Sequence, residues 1–147
     1  DSLRNWNDFF GKKGPIQYQF VVPHSSAEYI EIFLKSCQDL GLMSPLVVLK
    51  NLGNPSPAFL SFPMEGWTLA VDFPRSDRVI KFLKGEIDKL ISFGGRTYLA
   101  KDELANAQQF KSMYPELDKF LEVKRLMDVN GKFQSKLSHK LGLDIGK

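Results

Sequence analysis

Gly14-Pro15-Ile16-Gln17-Tyr18-Gln19-Phe20-Val21-Val22-Pro23 alternates between two kinds of side chain. A period of two predicts a β-strand with Tyr18, Phe20 and Val22 on one face and the amides of Gln17 and Gln19 on the other. The apolar face asks for a covering layer of helices. Each amide offers a carbonyl acceptor and two N–H donors, which suits a polyhydroxylated ligand or the edge of a cofactor ring.

Before this strand, Leu3 to Phe10 reads as a helical turn packing Trp6, Phe9 and Phe10, ended by Gly11-Lys12-Lys13-Gly14. After it, Ser25-x-x-Glu28 has the form of a capping box. Ile30, Phe33, Leu34 and Cys37 then recur at helical spacing until Gly41. Cys37 on that stripe reads as a small buried hydrophobe rather than a catalytic thiol. A second strand falls within Ser44 to Asn51. A third runs from Trp67 to Phe73, with large apolar side chains at odd positions and small or polar ones at even positions. Asp77 is the expected N-cap of a second helix carrying Ile80, Leu83, Ile87, Leu90 and Ile91 to a stop at Gly94-Gly95. Arg96 to Ala100 predicts a fourth strand. Beyond it, Asp102 is expected to cap a helix through Tyr114, and Pro115 to begin another through Met127. Asp128 to Gly131 reads as a turn and Gln134 to Leu141 as a last short helix.

The order β-α-β-β-α-β followed by helices is an α+β, ferredoxin-like plan, in which both helices cover one face of a four-stranded antiparallel sheet. Function is then expected on the other face, which carries Gln17, Gln19, Thr68, Ala70 and Asp72, with either Lys50 or its neighbours from the second strand and Tyr98 from the fourth.

The 147 residues, 43% hydrophobic and 25% charged, are enough for one buried core. Twenty Lys and Arg against 17 Asp and Glu leave +3 with no basic run, so no nucleic-acid footprint is indicated. A single cysteine rules out an internal disulfide, and two separated histidines give no metal-site spacing. No apolar run reaches the ~20 residues of a membrane span, and no signal peptide opens the chain. It starts without Met, at Asp1-Ser2-Leu3-Arg4-Asn5-Trp6, and reads as the interior of a larger protein.

Five ordered blocks carry a family resemblance: Asn5-Trp6-Asn7; Gly14-x-x-Gln17-Tyr18-Gln19-Phe20-Val21-Val22-Pro23; Gly66-Trp67-Thr68-Leu69-Ala70-Val71-Asp72-Phe73-Pro74; Phe93-Gly94-Gly95-Arg96-x-Tyr98-x-Ala100-Lys101-Asp102; and Met113-Tyr114-Pro115. They resemble the C-terminal part of the decaprenylphosphoryl-β-D-ribose 2′-oxidase family. These are FAD-linked oxidases of the vanillyl-alcohol-oxidase type, related to the aldonolactone and alditol oxidases. The resemblance implies that residues 1–100 are the C-terminal portion of a substrate-binding domain. Residues 101–147 would be a helical segment returning to an N-terminal FAD-binding domain that has no counterpart here.

By the same resemblance Gln17, Gln19, Lys50, Thr68 and Ala70 line the substrate cavity, while Tyr98 and Lys101 approach the flavin. Mycobacterial members carry a cysteine where Ala70 stands and tend to have an aromatic at Leu52. The loss of that thiol removes no acid, base or hydride acceptor. The implied reaction takes a proton from a sugar hydroxyl while the carbon-bound hydrogen leaves as hydride to FAD, bound in the full-length protein. No catalytic base is identified, since His24 and His139 lie at a strand end and in the last helix, and no metal is implied. The implied partners are a lipid-linked or free sugar and an NAD-dependent reductase completing an epimerisation. The implied setting is bacterial cell-wall biosynthesis, in the cytoplasm or at the membrane on the envelope side. The isolated fragment is expected to self-associate through apolar surface and to be inactive by itself.

Two other classes share the strand order. An RNA-recognition domain needs stacking aromatics on the open faces of strands one and three, where this chain has Gln17, Gln19, Thr68 and Ala70. A non-catalytic ligand-binding module is opposed mainly by the five blocks. An aldonolactone or alditol oxidase differs only in substrate.

Overall fold

The structure is a computed structural model and describes residues 10–144. The expected turn at residues 3–10 therefore lies, apart from buried Phe10, outside the described residues. Four antiparallel strands, β1 (Pro15–Pro23), β2 (Leu46–Leu52), β3 (Gly66–Pro74) and β4 (Arg96–Thr97), form one sheet in the order β2-β3-β1-β4. Helices α1 (Glu28–Asp39) and α2 (Asp77–Ser92) cover one face, and α3 (Ala107–Met113), α4 (Leu117–Met127) and α5 (Lys136–Lys140) follow. This is the α+β plan that the alternating strands predict.

Aromatic packing fixes which face is which. Phe33 of α1 stacks on Tyr18, with ring centroids 5.7 Å apart, and meets Phe20 edge-on at 5.2 Å. Phe82 of α2 packs on Phe33 in turn. Tyr18, Phe20, Val22, Leu69, Val71 and Phe73 are all buried with Val79, Leu83, Ile87 and Leu90 in one core. The opposite face is left to the alternate residues of each strand.

Several boundaries differ from the sequence expectations, each for a local reason. Ser25 does not cap α1. A 3₁₀ turn at His24–Ser26 occupies that position, Ala27 donates to the His24 carbonyl, and α1 starts with no side-chain cap. Leu34, expected on the apolar stripe of α1, is exposed, and buried Tyr29 joins the stripe instead. The cap of α2 is Ser76 rather than Asp77, its hydroxyl accepting from Val79 N–H, and Asp77 sits in the first turn where its charge favours the dipole. The fourth strand stops after Thr97 because the chain turns there, with Lys101 N–H bonding to the Tyr98 carbonyl. Asp102 does bind free N–H groups, those of Leu104 and Ala105, but α3 begins later, behind a capping box of Asn106 and Gln109.

Candidate functional site

Register decides which side chains share the helix-free face. Gln17 pairs with Asp72, Gln19 with Ala70 and Val21 with Thr68 across β1 and β3. Across β3 and β2, Asp72 pairs with Leu46, Ala70 with Val48 and Thr68 with Lys50. Cross-strand partners lie on the same side of a sheet, so Gln17, Gln19, Lys50, Thr68 and Ala70 are on one face. Tyr98 N–H donates to the Gln19 carbonyl at 2.8 Å, extending the pairing one residue past β4. The four strands place these groups across a wall about 14 Å wide.

Within that wall the side chains are unequally free. Gln19 Nε2 donates to Thr68 Oγ1 at 3.2 Å, and Thr68 donates to the Phe20 carbonyl at 2.7 Å. Thr68 is 1% exposed, so its hydroxyl acts inside the protein, holding the Gln19 amide and leaving that amide's carbonyl available. Ala70 is half-buried, Lys50 is exposed, and no ion pair reaches Lys50 or Lys101 among the described residues.

Thr97 anchors the turn that carries Tyr98 and Lys101. Its hydroxyl donates to the Asp102 carboxylate, its carbonyl accepts from Tyr114 at 2.7 Å, and its N–H reaches the Met113 sulfur. The turn is thus fastened at both ends, by Thr97 and by Asp102. Tyr98 is half-buried against Phe62, with centroids 4.6 Å apart and the rings tilted by 35°.

Two participants escape sequence reasoning. Arg96, paired with Val21 and so on the same face, donates to the Ser61 carbonyl at 2.9 Å and lies over the Tyr114 ring at 5.4 Å. Burial lowers its pKa, partly offset by Tyr114. Its Nε is buried without a partner. Arg96 therefore ties the segment after β2 to the sheet and brings Phe62 to Tyr98. A loop that reaches back by tertiary contact leaves no periodic signal, and the only hint was an arginine directly after Gly94-Gly95.

His24 bonds to Asn51 at 3.1 Å on the helix side of the sheet, and His139 to Asp144 at 3.1 Å, so neither joins this wall. No group of three or more metal-binding side chains occurs among the described residues. Clefts of about 440 and 390 Å³ lie beside α2, one toward Leu40 and one toward α3, and gather none of the predicted site residues.

Comparison with known proteins gives this wall a context. Residues 76–141 match the family model described as D-arabinono-1,4-lactone oxidase. Over 143 residues the chain is 37% identical to a decaprenylphosphoryl-beta-D-ribose oxidase of Mycolicibacterium smegmatis, covering 97% of this chain and 31% of the relative. It is also 32% identical over 132 residues to an uncharacterized protein of Streptomyces coelicolor from the mprA 5′ region, covering 89% of this chain and 36% of that one. The chain thus spans about a third of the length of the curated relatives it matches. Over nearly its whole length the chain is thus similar to a segment of a decaprenylphosphoryl-beta-D-ribose oxidase, and over residues 76–141 to the D-arabinono-1,4-lactone oxidase family model.

Proposed function

We propose that the chain supplies one wall of the active site of an FAD-dependent oxidoreductase that oxidises a sugar hydroxyl, with a decaprenylphosphoryl-ribose-like substrate. The observation that carries this is the meeting of Gln17, Gln19, Lys50, Ala70 and Tyr98 on one sheet face, with Lys101 on the turn beyond, in a relative of sugar oxidases. FAD, when bound, supplies the hydride acceptor.

The residues present fit the edge of a flavin ring. Tyr98 and Phe62 offer an aromatic platform, and Lys101 brings a cation that no carboxylate neutralises among the described residues. A cation there favours negative charge developing on a reduced ring. Gln19, held by Thr68, presents its carbonyl to a substrate hydroxyl, while Lys50 gives a compact charge for a substrate phosphate. These groups orient the sugar and stabilise charge; proton removal is left to a residue not identified on this wall.

The match of residues 76–141 to the lactone-oxidase family model favours a second substrate reading, a free aldonolactone. An NAD-dependent reductase partner, completing an epimerisation in bacterial cell-wall biosynthesis, belongs to the lipid-linked reading. No helix among the described residues is long and apolar enough to cross a membrane.

The test is anaerobic reduction of the purified full-length protein. Flavin absorbance should bleach with decaprenylphosphoryl-ribose and respond weakly to D-arabinono-1,4-lactone; the reverse order would select the lactone reading. Lys101→Ala should slow bleaching by ~10²-fold or more. Full-length protein that purifies without flavin, or is reduced by neither compound, would overturn the proposal.

A further inference from the structure

We infer that the Asp72 carboxylate and the Gln17 amide form a clamp for two neighbouring hydroxyl groups, which makes Asp72 a specificity-determining residue for a polyhydroxylated ligand. The inference rests on the proposed sugar oxidation and extends it to a residue outside the assigned set. Asp72 and Gln17 are direct cross-strand partners on the site face, one residue pair beyond Gln19 and Ala70. Side chains so placed have Cβ atoms about 5 Å apart.

Both side chains are unengaged. Asp72 Oδ1 is buried with no hydrogen-bond partner, and no ion pair reaches the carboxylate among the described residues. Its backbone carbonyl, by contrast, accepts from Ser44 Oγ at 2.7 Å, so the strand itself is well held. Gln17 is half-buried, and no side-chain hydrogen bond to it occurs among the described residues either. Other buried carboxylates are saturated. Glu86 takes Tyr29 and Lys89, and Asp128 takes Lys124 with the N–H groups of Lys132 and Phe133.

An unpartnered carboxylate oxygen withdrawn from water is costly, and native proteins keep few of them. The nearby cation Arg75 does not relieve it, being paired to Glu103 at 2.5 Å. Tyr18 and Arg96 also hold unpartnered buried atoms, but Tyr18 belongs to the helix face and Arg96 is paired with Val21, whose side chain has no polar group to share a ligand.

The chemistry of the pair selects the ligand. A carboxylate only accepts, so it calls for an O–H donor, whereas the amide can both donate to and accept from the next oxygen. Adjacent hydroxyls on a sugar ring supply that combination. A single hydroxyl or a bare apolar chain would leave one of the two groups without a partner.

The clamp is tested in the full-length protein with decaprenylphosphoryl-ribose and D-arabinono-1,4-lactone, together with a ring-deoxy analogue of whichever is turned over. Wild type should prefer the hydroxylated compound by ~10²-fold or more in kcat/KM. Asp72→Ala should bring that ratio to within a few-fold of one, and Asp72→Asn, which keeps a carbonyl acceptor, should restore part of it. Circular dichroism melting curves check that both variants fold. A variant that only loosens the fold would slow both compounds alike and keep the ratio, which overturns the clamp. Wild type that oxidises neither compound would overturn the underlying sugar-oxidase reading and the clamp with it.

Discussion

A Cβ atom at Gly66 would fall 2.0 Å from the carbonyl oxygen of Val22 and 2.9 Å from its carbonyl carbon. Both contacts are backbone in the β1–β3 ladder, so neither can swing aside. Gly66→Ala should therefore destabilise by about 3 kcal/mol or more. Gly85, in the interior of α2 with nothing within 4 Å of its Cβ position, is the control. Gly85→Ala should stabilise by about 0.5–1 kcal/mol, because alanine loses less freedom in a helix. Urea denaturation of the two variants beside wild type checks both signs.

The thiol of Cys37 is pushed up to about 11, chiefly by burial and secondarily by the negative charge of Glu86. The unfolded thiol ionises near 9.0, so above that pH the unfolded chain binds fewer protons than the native one. Its stabilising contribution is whole below pH 9 and is lost as pH rises toward 11. Each unit of separation is worth about 1.4 kcal/mol. Cys37→Ala should lower stability at pH 7 by removing packing, and its deficit should shrink steadily between pH 9 and 11. A deficit that stays constant over that range would show the thiol is not protected. Cys37→Ser should leave flavin reduction in the full-length protein unchanged.

The strand order and the residues of the helix-free face were legible because β1 and β3 alternate without interruption, and one side of each is too polar to be core. Tyr18, Phe20 and Leu69 could go nowhere but beneath the helices. The caps were less legible, since adjacent Ser76 and Asp77 are both good caps and only geometry chooses between them. Ser25 matched a capping pattern that the 3₁₀ turn displaced. Arg96 and Phe62 were illegible in principle. Their roles come from a segment between β2 and β3 folding back onto the sheet, and contacts at such separation have no local pattern.

Asp128 organises the chain after α4. Its carboxylate takes Lys124 Nζ at 2.8 Å and the N–H groups of Lys132 at 2.6 Å and Phe133 at 3.1 Å. The Lys124 hydrogen bond, followed by those of the backbone, holds its pKa below the usual carboxylate value. The stabilisation is therefore present above the unfolded carboxylate pKa and is lost as pH falls through the lower folded value. Protection of residues 129–134 from proteolysis should persist at neutral pH and fail in acid. Asp128→Asn should expose the same segment at pH 7, with little change in the melting of the sheet. Equal cleavage of wild type and variant at neutral pH would contradict this.

The edge strand β2 bonds only to β3, and its outer surroundings are apolar: Met43 is 83% exposed, Val47 46% and Leu49 53%. A second set lies at the end of α4 and just beyond it, where Leu126, Met127, Val129 and Phe133 are each at least 75% exposed. Unpaired strand edges and exposed large apolar side chains seek partners in water. The isolated chain should accordingly self-associate, with light scattering giving a mass that rises with concentration. Leu49 lies on the helix side of β2, opposite Leu69, so a lysine there adds charge at the edge without touching the site face. Leu49→Lys should shift the population toward monomer, and Phe133→Ser should do so independently if the second set also takes part. A wild-type chain that stays monomeric across a wide concentration range would show that neither surface is sticky enough to matter.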